Sequence, residues 1–271
     1  MHRPVLYALS LMTCPSGLTM RPVLSALSLA TCLATACAPS QEATRVELAV
    51  AVDAGRLVDA ATDLGWTIHL DTARIAAGDL EFTIQGEMHA LARLWDLLVP
   101  PAIAHPGHYA GGDVTGALPG SFVLDWVAGD GDELGRAELL TGNYHGCNIA
   151  FRRADELPAA DPLAGHTAQF VGTARKDGRE LGFTAILDLD DSAAVVGAPF
   201  DLEIDEGTTE TLGLQLRLRD DGSGAALFDG IDFAALDPGD GTPVRIGPGD
   251  PAHNLVRRAL QSHVFYTVAP L

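Results

Sequence analysis

Leu212-Gly213-Leu214-Gln215-Leu216-Arg217-Leu218-Arg219 places a leucine at every second position, against glycine, glutamine and arginine. A period of two is the signature of a strand with one buried face, because successive side chains leave a strand on opposite sides. The same alternation recurs in Leu80-Glu81-Phe82-Thr83-Ile84, in Phe122-Val123-Leu124-Asp125-Trp126, and in Phe200-Asp201-Leu202-Glu203-Ile204. Further strands are expected at Val46–Val52, Gly65–Ile75, Ala168–Ala174, Leu181–Leu189 and Val264–Val268. Turn chemistry separates them: Asp53-Ala54-Gly55, Gly129-Asp130-Gly131-Asp132, Lys176-Asp177-Gly178, Asp220-Asp221-Gly222 and Asp237-Pro238-Gly239-Asp240-Gly241.

Two stretches depart from period two. Glu87–Leu98 sets Met88, Leu91, Leu94, Trp95 and Leu98 at helical spacing and stops at Pro100-Pro101. Ala252–Ser262 puts Leu255, Val256, Ala259 and Leu260 on one face. Short strands with regular turn signals and one or two short helices predict an all-β fold, an antiparallel β-sandwich or jelly-roll-like domain. With 271 residues, 47% of them hydrophobic, the chain can bury one substantial core. No repeat or linker divides it, so a single domain is expected over residues 45–271.

Residues 1–37 stand apart. Arg3–Cys14 is nearly repeated as Arg21–Cys32, and the second copy follows Met20, a possible true start. From Met20 the order is a basic end at Arg21, an apolar run from Val23 to Leu33, and the small residues Ala34-Thr35-Ala36 before Cys37. The run has the length of a signal-peptide core and is too short to span a membrane. This layout resembles a bacterial lipoprotein signal. The resemblance implies that Cys37 is lipidated and becomes the mature N-terminus, with the membrane touched through that lipid only. Ala38, standing where an Asp would retain the protein at the inner membrane, implies sorting to the outer membrane. Residues 38–44 would then be a tether. Cys14 and Cys32 fall in the leader, so Cys147 is the only other cysteine and has no partner for an internal disulfide.

The formal charge of −19 disfavours nucleic acid and anionic membrane as partners of the folded domain. It suits a solvated extracytoplasmic protein or one that attracts cations. Nine histidines in a chain with few lysines and aromatics direct attention to metal, since imidazole is the commonest metal ligand. His105-Pro106-Gly107-His108 is the most pointed motif. Pro and Gly at the two central positions fit a type II turn, which brings its ends within about 7 Å, so both rings could reach one ion.

Two further ligands are expected from elsewhere. His166, opening a strand, shares parity with Ala168 and Phe170; His145 lies in the glycine-flanked stretch Gly142-Asn143-Tyr144-His145-Gly146-Cys147, read as a loop. Cys147, His263 and His253 are weaker candidates. His69 and His89 fall on solvent-facing positions. The expected cofactor is a transition metal, zinc or copper: zinc with tetrahedral nitrogen ligands, or Cu(II) in a more tetragonal set.

The chain lacks a Gly-x-Ser-x-Gly elbow, a phosphate loop and a His-Glu-x-x-His motif, and no catalytic residue is assigned. Its Asp-rich turns lack the spacing of an EF-hand calcium loop. The function expected is therefore metal sequestration, sensing or delivery by a lipid-anchored extracytoplasmic protein. A metal-free interaction or structural lipoprotein is the alternative, and a metal-dependent hydrolase a second one.

Overall fold

A computed structural model describes residues 44–84, 113–190 and 192–271. Among these, thirteen strands join one mixed sheet, and helix is confined to short pieces. The strands are β1 (Arg45–Asp53), β2 (Ala60–Ala61), β3 (Thr67–Ile84), β4 (Asp113–Leu118), β5 (Phe122–Asp125), β6 (Glu133–Leu140) and β7 (Gly142–Phe151). They continue as β8 (Ala168–Lys176), β9 (Arg179–Leu187), β10 (Ala194–Ile204), β11 (Leu212–Leu216), β12 (Val244–Ile246) and β13 (Tyr266–Pro270). Helices α1 (Phe233–Leu236) and α2 (Pro251–Leu260) and a 3-10 turn (His263–Phe265) complete the set. The chain divides by contacts after Glu42, and Ala43–Leu271 forms one compact unit.

β3 is the spine. Its 18 residues far exceed the usual strand of about 5–6. One edge pairs with β8 over Thr67–Ile75 and then with β7 over Ala77–Ile84. Since a residue has one partner per edge, β2, β5 and β4 succeed one another on the opposite edge. The expected strands at Gly65–Ile75 and Leu80–Ile84 are thus halves of one strand. Its middle, Ile75-Ala76-Ala77-Gly78, is buried on both faces, so no alternation marks it. Ala76 is covered by Ala154, Leu157 and Leu163 of the long connection before β8. Arg74 anchors that connection, donating to both carboxylate oxygens of Asp161 at 2.8 and 3.0 Å and to Gln169 at 3.2 Å.

From β10 the pairing runs through β7, β3, β4, β6, β1 and β11 to β13. Thr267 on β13 donates to the Pro199 carbonyl on β10, so the two ends of this path meet. The wholly antiparallel arrangement expected from sequence is corrected at two pairs. β1 lies parallel to β11, and β9 parallel to β12. Both pairs join strands distant in sequence, where no hairpin imposes an antiparallel return.

The inward faces meet in one core that includes Trp126, Tyr144, Phe82, Phe170, Phe183, Phe200, Phe228 and Phe233, all at most 1% exposed. Phe200 packs on Phe82 and on Tyr144 with ring centroids 5.6 Å apart in each case. Phe183 lies 5.3 Å from Phe228 and 5.2 Å from Phe233. The helix expected at Ala252–Ser262 is α2, opened by Pro251 and closed after Arg257 and Arg258, basic residues that suit a C-terminal turn. Residues 264–268 are part 3-10 turn and part strand, rather than strand throughout. The helix expected at Glu87–Leu98 lies outside the described residues.

Candidate functional site

His145 sits on a strand, not in the loop expected from its glycines. Ile84 of β3 faces Tyr144 while Thr83 faces Gly146, so His145 is the extra residue of a β-bulge. The bulge lets Tyr144 and Cys147 both enter the core, each 0% exposed, and turns His145 outward between them. Thr83 fixes the bulge by donating its hydroxyl to the Gly146 carbonyl at 3.2 Å.

Beside it, β10 alternates Phe200 and Ile204 inward with Asp201 outward. Asp201 Oδ1 lies 2.9 Å from His145 Nδ1. An ionised carboxylate only accepts, so Nδ1 carries the proton of this bond, and Nε2 is the nitrogen left to offer a lone pair to an ion. A carboxylate behind Nδ1 is the usual device for orienting a metal-binding imidazole.

The bulge also marks where residues 85–112 leave and return. Ile84, the last described residue before them, pairs with both Tyr144 and Asp113. His89, His105 and His108 belong to that segment and lie outside the described residues, as does Cys37.

His166 precedes β8 and is partly exposed rather than inward. Its Nδ1 lies 2.8 Å from Asp188 Oδ1, at the end of β9. On the far side of Asp188, the backbone N–H of the same residue donates to His253 Nε2 at 3.3 Å. His253 is in helix α2 and only 6% exposed. Burial, its largest influence, lowers its pKa, opposed by Asp188 and Asp250 and helped by Arg257. His69 is half-exposed on β3, with Nδ1 2.7 Å from Asp59 Oδ1 and Nε2 3.7 Å from Asp71. His263, on the 3-10 turn, is partly buried and has interactions of its own.

These histidines are not one cluster. His166 adjoins Ala76, whose N–H bonds the Thr167 carbonyl, whereas His145 adjoins Thr83. Seven residues of strand separate those levels, about 20 Å along β3. One ion, with ligands about 2 Å from it, cannot take both His145 and His166. Cys147 is withdrawn as well. Its side chain is 0% exposed and lies in the core, on the other side of the sheet from the outward His145, and burial, with Glu81 adding to the effect, pushes its thiol pKa far up. Among the described residues no group of three or more His, Cys, Asp or Glu side chains converges to hold a metal.

Sequence reading missed the carboxylates. Asp59, Asp188 and Asp201 each stand behind a histidine Nδ1, yet nothing in their local sequence names that partner. Asp201 could be placed on the outward face of β10 from alternation alone. Its pairing with a residue 56 positions away could not. No known protein family, curated protein or solved structure matches the chain.

Proposed function

We propose that this is a lipid-anchored, extracytoplasmic protein that binds a transition metal, zinc or copper, through histidines, so as to sequester, sense or deliver it. His145 supplies one ligand through Nε2. His105 and His108 of the His-Pro-Gly-His motif supply two more, and a fourth position is left to water or a recipient protein. The scaffold we infer is the large sheet folded over its core in a sandwich-like manner. Cys37 carries the anchor, which places the domain at the outer membrane.

One observation carries the reading: Asp201 holds the His145 ring by Nδ1, on the bulge where residues 85–112 begin and end. His69 and His166 have a carboxylate at the same ring nitrogen, and what favours His145 among the three is its place beside the ends of residues 85–112, the segment that carries His105 and His108. His166 and His253 belong elsewhere on the sheet and are left out of the site.

Equilibrium dialysis of the untagged protein against zinc and against copper tests this. About one ion per chain is expected, lost in His105→Ala/His108→Ala and bound about 10- to 100-fold more weakly in Asp201→Asn. Protein that takes up neither ion would refute the reading and leave a metal-free interaction lipoprotein. Metal-dependent turnover of a generic ester or phosphoester would move it to the hydrolase class.

A further inference from the structure

Helix α2 is fastened to the sheet by a bond that only a neutral histidine can make. Ala252, His253, Val256 and Leu260 form the buried face of this helix. Three of those side chains are apolar and pack without regard to protonation. The fourth, His253, accepts through Nε2 from the Asp188 N–H at the end of β9. An imidazolium has two donors and no acceptor, so protonation abolishes this bond and sets two N–H groups against each other.

We propose that His253 is a proton-operated latch: its neutral ring pins α2 to the end of β9, and its protonation frees the helix.

The surroundings make the latch responsive to modest acidity. Asp188 faces the ring from the end of β9, and its carboxylate is already engaged by His166 Nδ1 at 2.8 Å. From its own helix and cap the ring meets Asn254, Arg257 and Asp250. Arg257 Nη1 lies 3.9 Å from Asp190 Oδ2, so that cation is shared with the loop after β9. His263 stands on the 3-10 turn that follows α2. Burial dominates this set and holds the His253 pKa below the ordinary histidine value.

The sign follows. Above the ordinary value, docked and undocked states are both neutral at this ring and the latch is closed. As pH falls below it and then through the depressed value, the undocked ring takes up a proton that the docked ring resists. Docking therefore weakens toward acid. The device is independent of any metal at His145.

Hydrogen exchange of the full chain at about pH 7.5 and about pH 5, corrected for intrinsic rates, reads the latch directly. The amides of α2 and of Asp188 should lose protection several-fold at the lower pH, while those of β3 and β8 hold theirs. His253→Gln keeps an acceptor for the Asp188 N–H at either pH and should abolish the difference. His166→Gln should leave it in place. Equal α2 protection at both pH values in the unmutated protein, or a loss that persists in His253→Gln, would overturn the proposal. A ring titration followed by NMR in the unmutated protein gives a second check. The latch requires His253 to titrate below the ordinary histidine value, and titration at that value would exclude it.

Discussion

At the scale of single residues, partners decide chemistry more than residue types do. His145 and Cys147 are two positions apart, and a glycine-rich context suggested that both could ligate. The bulge sends one to solvent and the other to the core. Cys147 accordingly should resist iodoacetamide at neutral pH while the protein is folded and react fully once it is unfolded, as read by mass spectrometry of its peptide. Rapid labelling of folded protein would show that the thiol is not held in the core.

Asp161 offers a second test. The hydrogen bond from Arg74 is the main influence that lowers its pKa, followed by the Leu163 N–H. A carboxyl held low contributes stability above the ordinary carboxylate value, and that contribution is lost as pH falls through the depressed value. Asp161→Asn should therefore lower stability at neutral pH and flatten the acid limb of the stability profile. It should also raise hydrogen exchange first in residues 152–167, the connection that Arg74 anchors.

Among the elements, β3 carries the architecture. One of its register shifts is a site of close backbone approach. Between Leu70 and Thr72 the strand holds one more residue than β8, and a Cβ on Gly172 would fall 2.0 Å from the His69 carbonyl oxygen. That neighbour is backbone and cannot turn aside. Gly172→Ala should cost about 1–3 kcal/mol, measured as a lower denaturant midpoint. A neutral result would mean that the β3–β8 pairing adapts freely.

Trp126, just past β5, is buried and donates Nε1–H to the Leu214 carbonyl at 2.9 Å, linking β5 to β11 across the core. Trp126→Phe should lose about 1 kcal/mol with that hydrogen bond, measured as a lower denaturant midpoint.

The elements also show what the sequence could convey. Leu212–Leu218, Ala168–Ala174 and Leu181–Leu189 are legible because apolar side chains on one face alternate with mainly small or polar ones on the other. β7 is not, because Gly142, Asn143, Gly146 and Asn148 read as turn residues and the bulge shifts its parity midway. β6 escaped for a different reason: only Ala137 and Leu139 of its eight residues are buried, too few to set a period.

Across the whole molecule, a mostly β fold was readable from local patterns. The parallel pairs β1–β11 and β9–β12 were not, since they depend on which distant strands become neighbours. The same limit governed the site. Histidines could be counted along the chain, but only the sheet separates His145 from His166 and supplies Asp201 and Asp188. The described residues place one outward imidazole, hydrogen-bonded to a carboxylate, beside the ends of residues 85–112, and the proposed function adds an ion to it. The most direct measurement follows the imidazole nitrogens by NMR while one equivalent of zinc is added. The account predicts a coordination shift at His145 Nε2, with His105 and His108 shifting in step, while His166 and His253 stay unmoved. Unchanged His145 resonances at saturating zinc, or a shift at His166 and His253 in their place, would contradict it.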